Sequence, residues 1–411
     1  MKLAVIGCGM SGMAAVISAV TNGADPRSIT IYESLGRAGR KILATGNGRC
    51  NLGNEFTDKN CFYVSKEGGD EFLSGILSSY NVQDLKEFYS SLGIITVSKN
   101  GYLYPRSLQA GAVLSALLDR VVSYGIRIEY EKTVQSITPD RDSFIVKTGA
   151  AEERYDLVIV SSGFGSGGFD VPSPHLAELF KEQHISFRKP LPALCPLKVR
   201  EDIKKLAGVR AAGRVSVFVN GNSQGSDEGE IQFTKDNVSG IPVFQISRTA
   251  SIALSEGREV KLVLNMMPEV NSYELKGILS SVTGCDPGKS ILSAMCGFLN
   301  KALSAYILSR CAIAPETPCG SLKGRDKDAI LRNITELGFT VKASEDKNRA
   351  QTMAGGVAPS ELDMCELKKI PGMFVTGELI DADGKCGGYN LYLAWATGLM
   401  AGKKAAGYYK K

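Results

Sequence analysis

Apolar runs and helical periodicities alternate along the first part of the chain. Leu3 to Ile6 has no polar side chain, as expected of a strand buried on both faces of a parallel sheet. Met13, Val16, Ile17 and Val20 then recur at helical spacing, Asn22-Gly23 closes that helix, and Ile29-Thr30-Ile31-Tyr32 reads as a second strand ending at Glu33. Residues 70 to 125 have helical character, clearest from Asp84 to Leu92 and from Gln109 to Tyr124. Between those two lies Gly101-Tyr102-Leu103-Tyr104-Pro105-Arg106-Ser107, a turn-like piece carrying aromatics and a cation. Ile126 to Tyr130, Val134 to Ile137 and Ser143 to Lys147 are short, β-rich and turn-bounded, as in a small meander beside the main sheet. Tyr155 to Val160 returns as a buried strand.

From about Pro190 the pattern changes. Leu194 to Val199, Val215 to Val219, Glu230 to Phe233 and Val260 to Leu264 read as strands, with Asn220-Gly221-Asn222 as a hairpin signal. Helical patterns follow at Ser272 to Ser281, Lys289 to Ser309 and Lys327 to Leu337. Strands followed by helices point to an inserted α+β region, unlike the βαβ opening. Phe374-Val375-Thr376 is a late apolar strand, and Leu391, Ala394, Trp395, Gly398 and Leu399 mark one face of a final helix. The expected organisation is therefore a first domain built from 1–190 and 341–411, interrupted by a β-rich part at 191–268 and a helical part at 269–340.

The glycines decide what the opening unit is for. Gly7, Gly9 and Gly12 fall where the first strand turns into the first helix, in the G-x-G-x-x-G spacing of a phosphate cradle. Gly7 permits the tight turn, Gly9 lets a pyrophosphate approach the backbone, and Gly12 lets helix and strand lie close. The free N–H groups of the helix start, at Met10 and Ser11, then face the diphosphate. Glu33, twenty-one residues beyond Gly12 and followed by Ser34, stands where the ribose hydroxyls of an adenine dinucleotide need an acceptor. Two glycine- and base-rich loops follow: Gly36-Arg37-Ala38-Gly39-Arg40-Lys41, and Ala44-Thr45-Gly46-Asn47-Gly48-Arg49-Cys50-Asn51. Arg40, Lys41 and Arg49 offer charge to a phosphate or to the edge of a flavin ring.

A second string, Gly163, Gly165 and Gly168, has the same spacing. Pro172 and Pro174 follow at once, so no helix can open on its third glycine, and no later strand ends in a suitably placed acid. Ser162 and Gly163 are better read as the sheet's return, passing close under the first cofactor. Near the C-terminus, Gly377-Glu378 is followed by Asp383-Gly384, Gly387-Gly388-Tyr389-Asn390 and a helix start at Leu391. A reduced isoalloxazine is anionic at its N1/O2 edge and gains from a positive helix end, which 388–391 can supply, while Glu378 can accept from ribityl hydroxyls.

Composition narrows the classes. At 411 residues the chain exceeds one typical core, and a formal charge of +5 with no aromatic-interleaved basic run argues against a nucleic-acid partner. Ten cysteines without a C-x-x-C pair, and His175 and His184 as the only imidazoles, argue against a metal site and a dithiol relay. No run of about eighteen apolar residues suggests a membrane span. The glycines break the apolar stretch after Lys2, so a signal peptide is not expected there and the cytoplasm is the expected location.

Taken together, Gly7-x-Gly9-x-x-Gly12, Gly46-x-Gly48-Arg49-Cys50-Asn51, Gly355-Gly356-Val357 and the C-terminal Gly377-Glu378 to Asn390 pieces resemble the BaiN/RdsA flavoproteins over nearly the whole chain. Ser161-Ser162-Gly163 departs from that family's usual Ala-Thr-Gly-Gly-like turn. The resemblance implies an α/β fold: a Rossmann-like FAD-binding domain of the two-dinucleotide-binding-domain type, interrupted by a β-barrel-like and a helical insert. It implies non-covalent FAD, held by the residues named above together with Val134, and NAD(P)H as a transient electron donor. The expected activity is reduction of an enone or dehydro-steroid-like small molecule by hydride transfer from flavin N5. The alternatives are an oxygen-dependent oxidase of aminoacetone-like amines and a flavin-dependent RNA-modifying factor. Tyr104, Arg106, Cys50 and Tyr389 are the candidates to face the reacting space, and monomer and homo-oligomer stay equally open.

Overall fold

The computed structural model describes residues 1–166, 174–345 and 347–410. They fall into two compact units, Met1–Leu191 with Thr352–Lys411, and Pro192–Gln351.

In the first unit Leu3–Ile6 is buried because a strand lies on each side of it: Leu3 stands opposite Ile29 in one ladder and Leu157 in the other, both parallel. From edge to edge the sheet runs Leu362–Asp363, Glu366–Leu367, Met373–Val375, Leu157–Val160, Leu3–Ile6, Ile29–Tyr32 and Arg127–Glu129. From Met373–Val375 onward every pairing is parallel, and the two edge strands before it are antiparallel. The late strand therefore returns beside Leu157–Val160, and the ends of the parallel strands open one crevice where the connections diverge from the central strand.

Two helices roof this sheet at unusually close range. In the opening helix Met10–Thr21 and the closing helix Tyr389–Tyr408, a Cβ on Gly398 would overlap the Ser11 carbonyl and one on Gly402 the Ala15 carbonyl. Ser18 Oγ donates to Leu399 O at 2.8 Å, which locks the pair. Because Ser11 meets Gly398 and Ala15 meets Gly402, the helices run in the same direction. The closing helix thus starts eight residues ahead of the level of Met10 and overhangs the start of the opening helix by about 12 Å.

Two expectations need correction. Ile126 to Tyr130 does not join a meander: Arg127–Glu129 pairs in parallel with Ile29–Tyr32 as the edge of the main sheet. The meander is Val134–Asp140, Ser143–Thr148 and Ala151–Tyr155. Gly101 to Ser107 is not simply a turn, for Thr96–Lys99 and Tyr102–Pro105 form a hairpin. Its two-residue connection, Asn100-Gly101, has positive φ at both positions (53° and 85°), as a hairpin turn of this length prefers.

In the second unit six strands close a barrel in the order Leu197–Val199, Asn237–Ser239, Asn222–Phe233, Arg210–Val219, Val260–Asn265, Leu337–Ser344. Alternate side chains, Val215, Val217 and Val219 on one strand and Leu262 and Leu264 on the next, are buried as period-two strands require. A helix at Ile241–Ser255, unforeseen in the sequence, buries Val243, Ile246, Ala250 and Ala253 against the same core. The strand that completes the barrel comes after the helices Ser272–Gly284, Ile291–Met295, Lys301–Arg310 and Gly324–Thr335, and Tyr306 stacks on Phe339 with centroids 6.1 Å apart. Barrel and helices share one hydrophobic core.

Candidate active site

The crevice is built from the ends of the parallel strands. Gly7 has φ +103°, its N–H donates to Tyr32 O at 2.8 Å, and a Cβ there would lie 2.8 Å from Ser161 O. A Cβ on Gly12 would overlap the Gly7 carbonyl, whereas one on Gly9 would meet nothing within 4 Å. Gly7 and Gly12 are thus demanded by the fold, whereas Gly9 faces open space. The helix begins at Met10 with no side-chain cap and no acid in its first turn, which leaves its orphan amides, those of Met10 and Ser11 among them, to an external acceptor.

Glu33 lies at the end of the second strand and is buried. One carboxylate oxygen accepts the Cys8 N–H at 3.0 Å and the other the Leu35 N–H at 3.0 Å and the Ser34 hydroxyl at 3.5 Å, so Glu33 ties the glycine turn to the loop at Ser34, and the oxygen on Cys8 keeps a lone pair. Burial, helped by the charge of Glu33, pushes the Cys8 thiol up to about 12 and keeps it protonated. Val134, buried at the start of the meander, lies two residues beyond Lys132, whose N–H donates to Glu33 O at 2.9 Å.

Glu378 gathers the opposite wall. One oxygen accepts from Lys41 Nζ at 2.8 Å, Ser166 Oγ at 2.9 Å, Thr352 Oγ1 at 3.0 Å and Met353 N at 3.2 Å. The other accepts from Ser166 Oγ at 3.2 Å and Phe164 N at 3.4 Å, and faces Gly163. Burial alone would raise this carboxyl's pKa, but the Lys41 ammonium and the Lys41, Ser166 and Thr352 hydrogen bonds outweigh it and hold the pKa below the ordinary carboxylate value. Gly377, just before it, donates its N–H to Thr397 Oγ1 at 2.9 Å on the closing helix.

The third component joins the loop 45–51 to the start of the closing helix. Gly46, Asn47, Gly48 and Cys50 all have positive φ, and the Thr45 carbonyl accepts the Cys50 N–H at 3.1 Å. With its amide oriented to match donors to acceptors, Asn51 donates to Gly53 O (2.9 Å) and Leu103 O (3.1 Å) and accepts the Gly388 N–H (3.2 Å). Gly388 has φ +91°, and the helix starting at Tyr389 has neither a side-chain cap nor an acid in its first turn. Asn390 clamps Gly384 with two hydrogen bonds of 2.8 Å. A Cβ on Gly387 would press on the Tyr389 ring at 2.7 Å.

The structure thus brings the glycine turn, Glu33, Lys41, Ser162, Gly163 and Glu378 to the sheet's crevice, and gathers the 45–51 loop round Gly388 to Asn390. Arg40, Gly48, Arg49 and Arg106 are exposed, and Leu391 is partly buried in the first turn of the closing helix. Asp383, Cys50 and Tyr389 are packed inside, at 2%, 0% and 8% exposure. Sequence reasoning missed Ser166, Thr352 and Thr397, which converge from distant stretches and carry no motif. Among the described residues no group of three or more His, Cys, Asp and Glu could hold a metal, and no helix is long and apolar enough to cross a membrane.

Unspent amides for a diphosphate, a free face on Gly9 and a carboxylate for a ribose fit an adenine dinucleotide, and the second uncapped helix start fits the anionic edge of a flavin. Such a crevice belongs to the Rossmann-type flavoprotein oxidoreductases. Within that class the chain belongs to the family described as HI0933-like protein Rossmann domain, whose model matches residues 1–404. It is 33% identical to the 3-dehydro-bile acid delta(4,6)-reductase of Clostridium scindens, over 98% of this chain and 99% of that protein. It is 26% identical to the ribosomal RNA dihydrouridine synthase of Escherichia coli K12, over 96% of this chain and 95% of that protein. Among solved structures, the 3-ketosteroid-delta4-(5alpha)-dehydrogenase of Rhodococcus jostii RHA1 has a TM-score of 0.47 at 14% identity, covering 98% of this chain and 96% of that one.

Proposed function

We propose that this protein holds FAD non-covalently and reduces a carbon–carbon double bond conjugated to a carbonyl in a small enone or dehydro-steroid-like substrate, with NADH or NADPH as electron donor. The observation that carries the reading is the pair of uncapped helix starts, at Met10 and Tyr389, on two parallel helices whose starts are offset by eight residues. Met10, Ser11 and Gly12 would hold the diphosphate beside Gly9, Glu33 the ribose, and Gly388 to Leu391 the anionic edge of the ring. Bound there, the flavin supplies hydride chemistry at N5. The chain's own residues shape the site: Glu378 orients Lys41 and holds the 163–166 loop, and Asn51 fixes the ring-side loop to the helix start.

The name of the 33%-identical reductase supports an unsaturated steroid ketone as the substrate class. The name of the 26%-identical synthase favours a second reading, reduction of uridine in RNA, because the uracil double bond is likewise conjugated to a carbonyl. The small net charge and the higher identity favour the first, with a cytoplasmic location and no nucleic-acid partner.

The test begins with the visible spectrum of the purified protein, which should be that of a flavin. Anaerobic NADH or NADPH should bleach it, and a steroid 4-ene-3-ketone should restore the colour. A colourless protein removes the flavin reading. Recovery of colour with a uridine-containing RNA but not with the steroid selects the second substrate, and peroxide release from aminoacetone alone replaces both with an amine oxidase.

A further inference from the structure

We infer that Tyr104 is the proton donor of this site, delivering its hydroxyl proton to the α carbon of the double bond. The inference rests on the enone-reductase reading of the preceding section.

The four groups that sequence places near the reacting space differ sharply in the structure. Arg106 is exposed, but a guanidinium does not release a proton at working pH. Cys50 is fully enclosed, and burial pushes its thiol up to about 11. Tyr389 is buried edge-on against Phe62, with centroids 5.6 Å apart, and its hydroxyl already donates to Phe56 O at 3.2 Å. Tyr104 is half-buried, and its hydroxyl makes no hydrogen bond among the described residues.

Its position is fixed from both sides. Tyr104 pairs with Val97 across the hairpin, and the preceding Leu103 is tied through Asn51 to the Gly388 N–H at the start of the closing helix. The ring edge lies over Gly46, where a Cβ would sit 3.6 Å from Cε1, so the ring borders the glycine loop. The Gly46 carbonyl also accepts the Arg49 N–H at 3.2 Å, which holds the Arg49 backbone in the loop that the ring borders. Burial raises the Tyr104 pKa, as does Tyr102 two positions earlier on the strand, and the Arg49 charge opposes them. The hydroxyl is therefore protonated at neutral pH, with a nearby cation to steady the tyrosinate.

The step balances. A reduced flavin, when bound, would supply a hydride whose electron pair forms the new C–H bond at the β carbon, and the alkene π pair would move to the α carbon. That carbon takes the Tyr104 proton, the phenolic oxygen keeps the O–H pair, and solvent then reprotonates it.

The experiment uses the flavin-loaded protein, reduced with dithionite and mixed anaerobically with a steroid 4-ene-3-ketone. Recovery of flavin absorbance in the wild type tests the parent reading; its failure sinks that reading first and this inference with it. Given recovery, Tyr104→Phe should slow it about 100-fold or more. Binding of the same ketone to the oxidised protein, read from perturbation of the flavin spectrum, should change by less than two-fold, and Tyr102→Phe should recover within about two-fold of the wild type. A readout without flavin is the tyrosinate absorbance of the apoprotein during alkaline titration. One step present in the wild type and missing in Tyr104→Phe, reached before unfolding, is expected of a solvent-facing hydroxyl. Absence of that step, or recovery of Tyr104→Phe at the wild-type rate, overturns the assignment.

Discussion

Gly7-x-Gly9-x-x-Gly12 and Gly163-x-Gly165-x-x-Gly168 share a spacing, and each follows a buried parallel strand, Leu3–Ile6 in one case and Leu157–Val160 in the other. After the first string a helix opens at Met10, and its first-turn amides remain unspent. After the second the chain is irregular as far as Ser166, and the next described helix begins only at Pro174. Gly168 and Pro172 lie outside the described residues. The Phe164 N–H and the Ser166 hydroxyl are given to the carboxylate of Glu378. One glycine turn keeps its donors for an anion from outside, while the other spends them on an anion of the protein itself. Spacing alone cannot tell the two apart, because the deciding facts are whether a helix follows and where the donors go.

The sharpest way to break the comparison is at Gly12. Gly12→Ala drives a methyl group into the Gly7 carbonyl, a backbone atom held in the turn. Overpacking of this kind costs about 3 kcal/mol or more where the neighbour is rigid. Loss of cooperative thermal unfolding by circular dichroism is the expected outcome. Gly9→Ala has open space around it and should unfold like the wild type. It should nonetheless weaken flavin binding about ten-fold or more, some 1.4 kcal/mol, when followed by fluorescence titration of the apoprotein. If both variants behave alike, the division between a glycine for the fold and a glycine for the ligand is wrong.

The next largest effect is expected at the internal anion. Glu378→Gln removes the charge facing Lys41 and leaves Ser166, Thr352 and the Phe164 N–H with a poorer acceptor. Lys41 is 42% exposed, so solvent screens the pair, and a cost of about 1–3 kcal/mol is appropriate. The Glu378 pKa is lowered on folding, so its stabilisation is complete above the ordinary carboxylate value of 4.5 and is lost as pH falls through the folded value. Urea denaturation at pH 7 and at pH 4 should show the gap between wild type and Glu378→Gln narrowing at the acid end. A gap that widens there reverses the sign and removes the proposed role of the carboxylate.

The same contrast explains how much could be read from sequence. Leu3–Ile6, Leu157–Val160 and the opening glycine turn were legible because a strand buried on both faces must be apolar throughout and a turn into a helix demands glycine. Arg127–Glu129 was assigned to the wrong sheet because an edge strand of three residues with one apolar side chain carries little pattern. Lys289 to Ser309 looked like one helix, yet it breaks after Met295 and restarts at Lys301, where Asn300 caps the new helix through the Ala302 N–H at 2.9 Å. The Glu378 cluster was illegible for another reason. Lys41, Ser166 and Thr352 are hundreds or tens of residues from it in sequence and meet only because strand ends converge. The carboxylate expected to accept from ribityl hydroxyls is surrounded by the protein's own donors.

The smallest expected effect falls on the second string. Gly163 has φ +65°, a region where a side chain costs roughly 1–2 kcal/mol, and a Cβ there would stand 3.2 Å from a Glu378 carboxylate oxygen. That oxygen is the end of a side chain and can yield by a few tenths of an ångström, whereas the carbonyl facing Gly12 cannot. Gly163→Ala should therefore fold, lose about 1–2 kcal/mol in urea denaturation, and retain flavin affinity within about three-fold. Combined with Glu378→Gln, its penalty should shrink, because the neutral amide no longer holds the loop so firmly against the new methyl group. Equal penalties in the two backgrounds would mean that the strain lies in the backbone alone, and a Gly163→Ala protein that cannot bind flavin would make the second string a phosphate cradle after all.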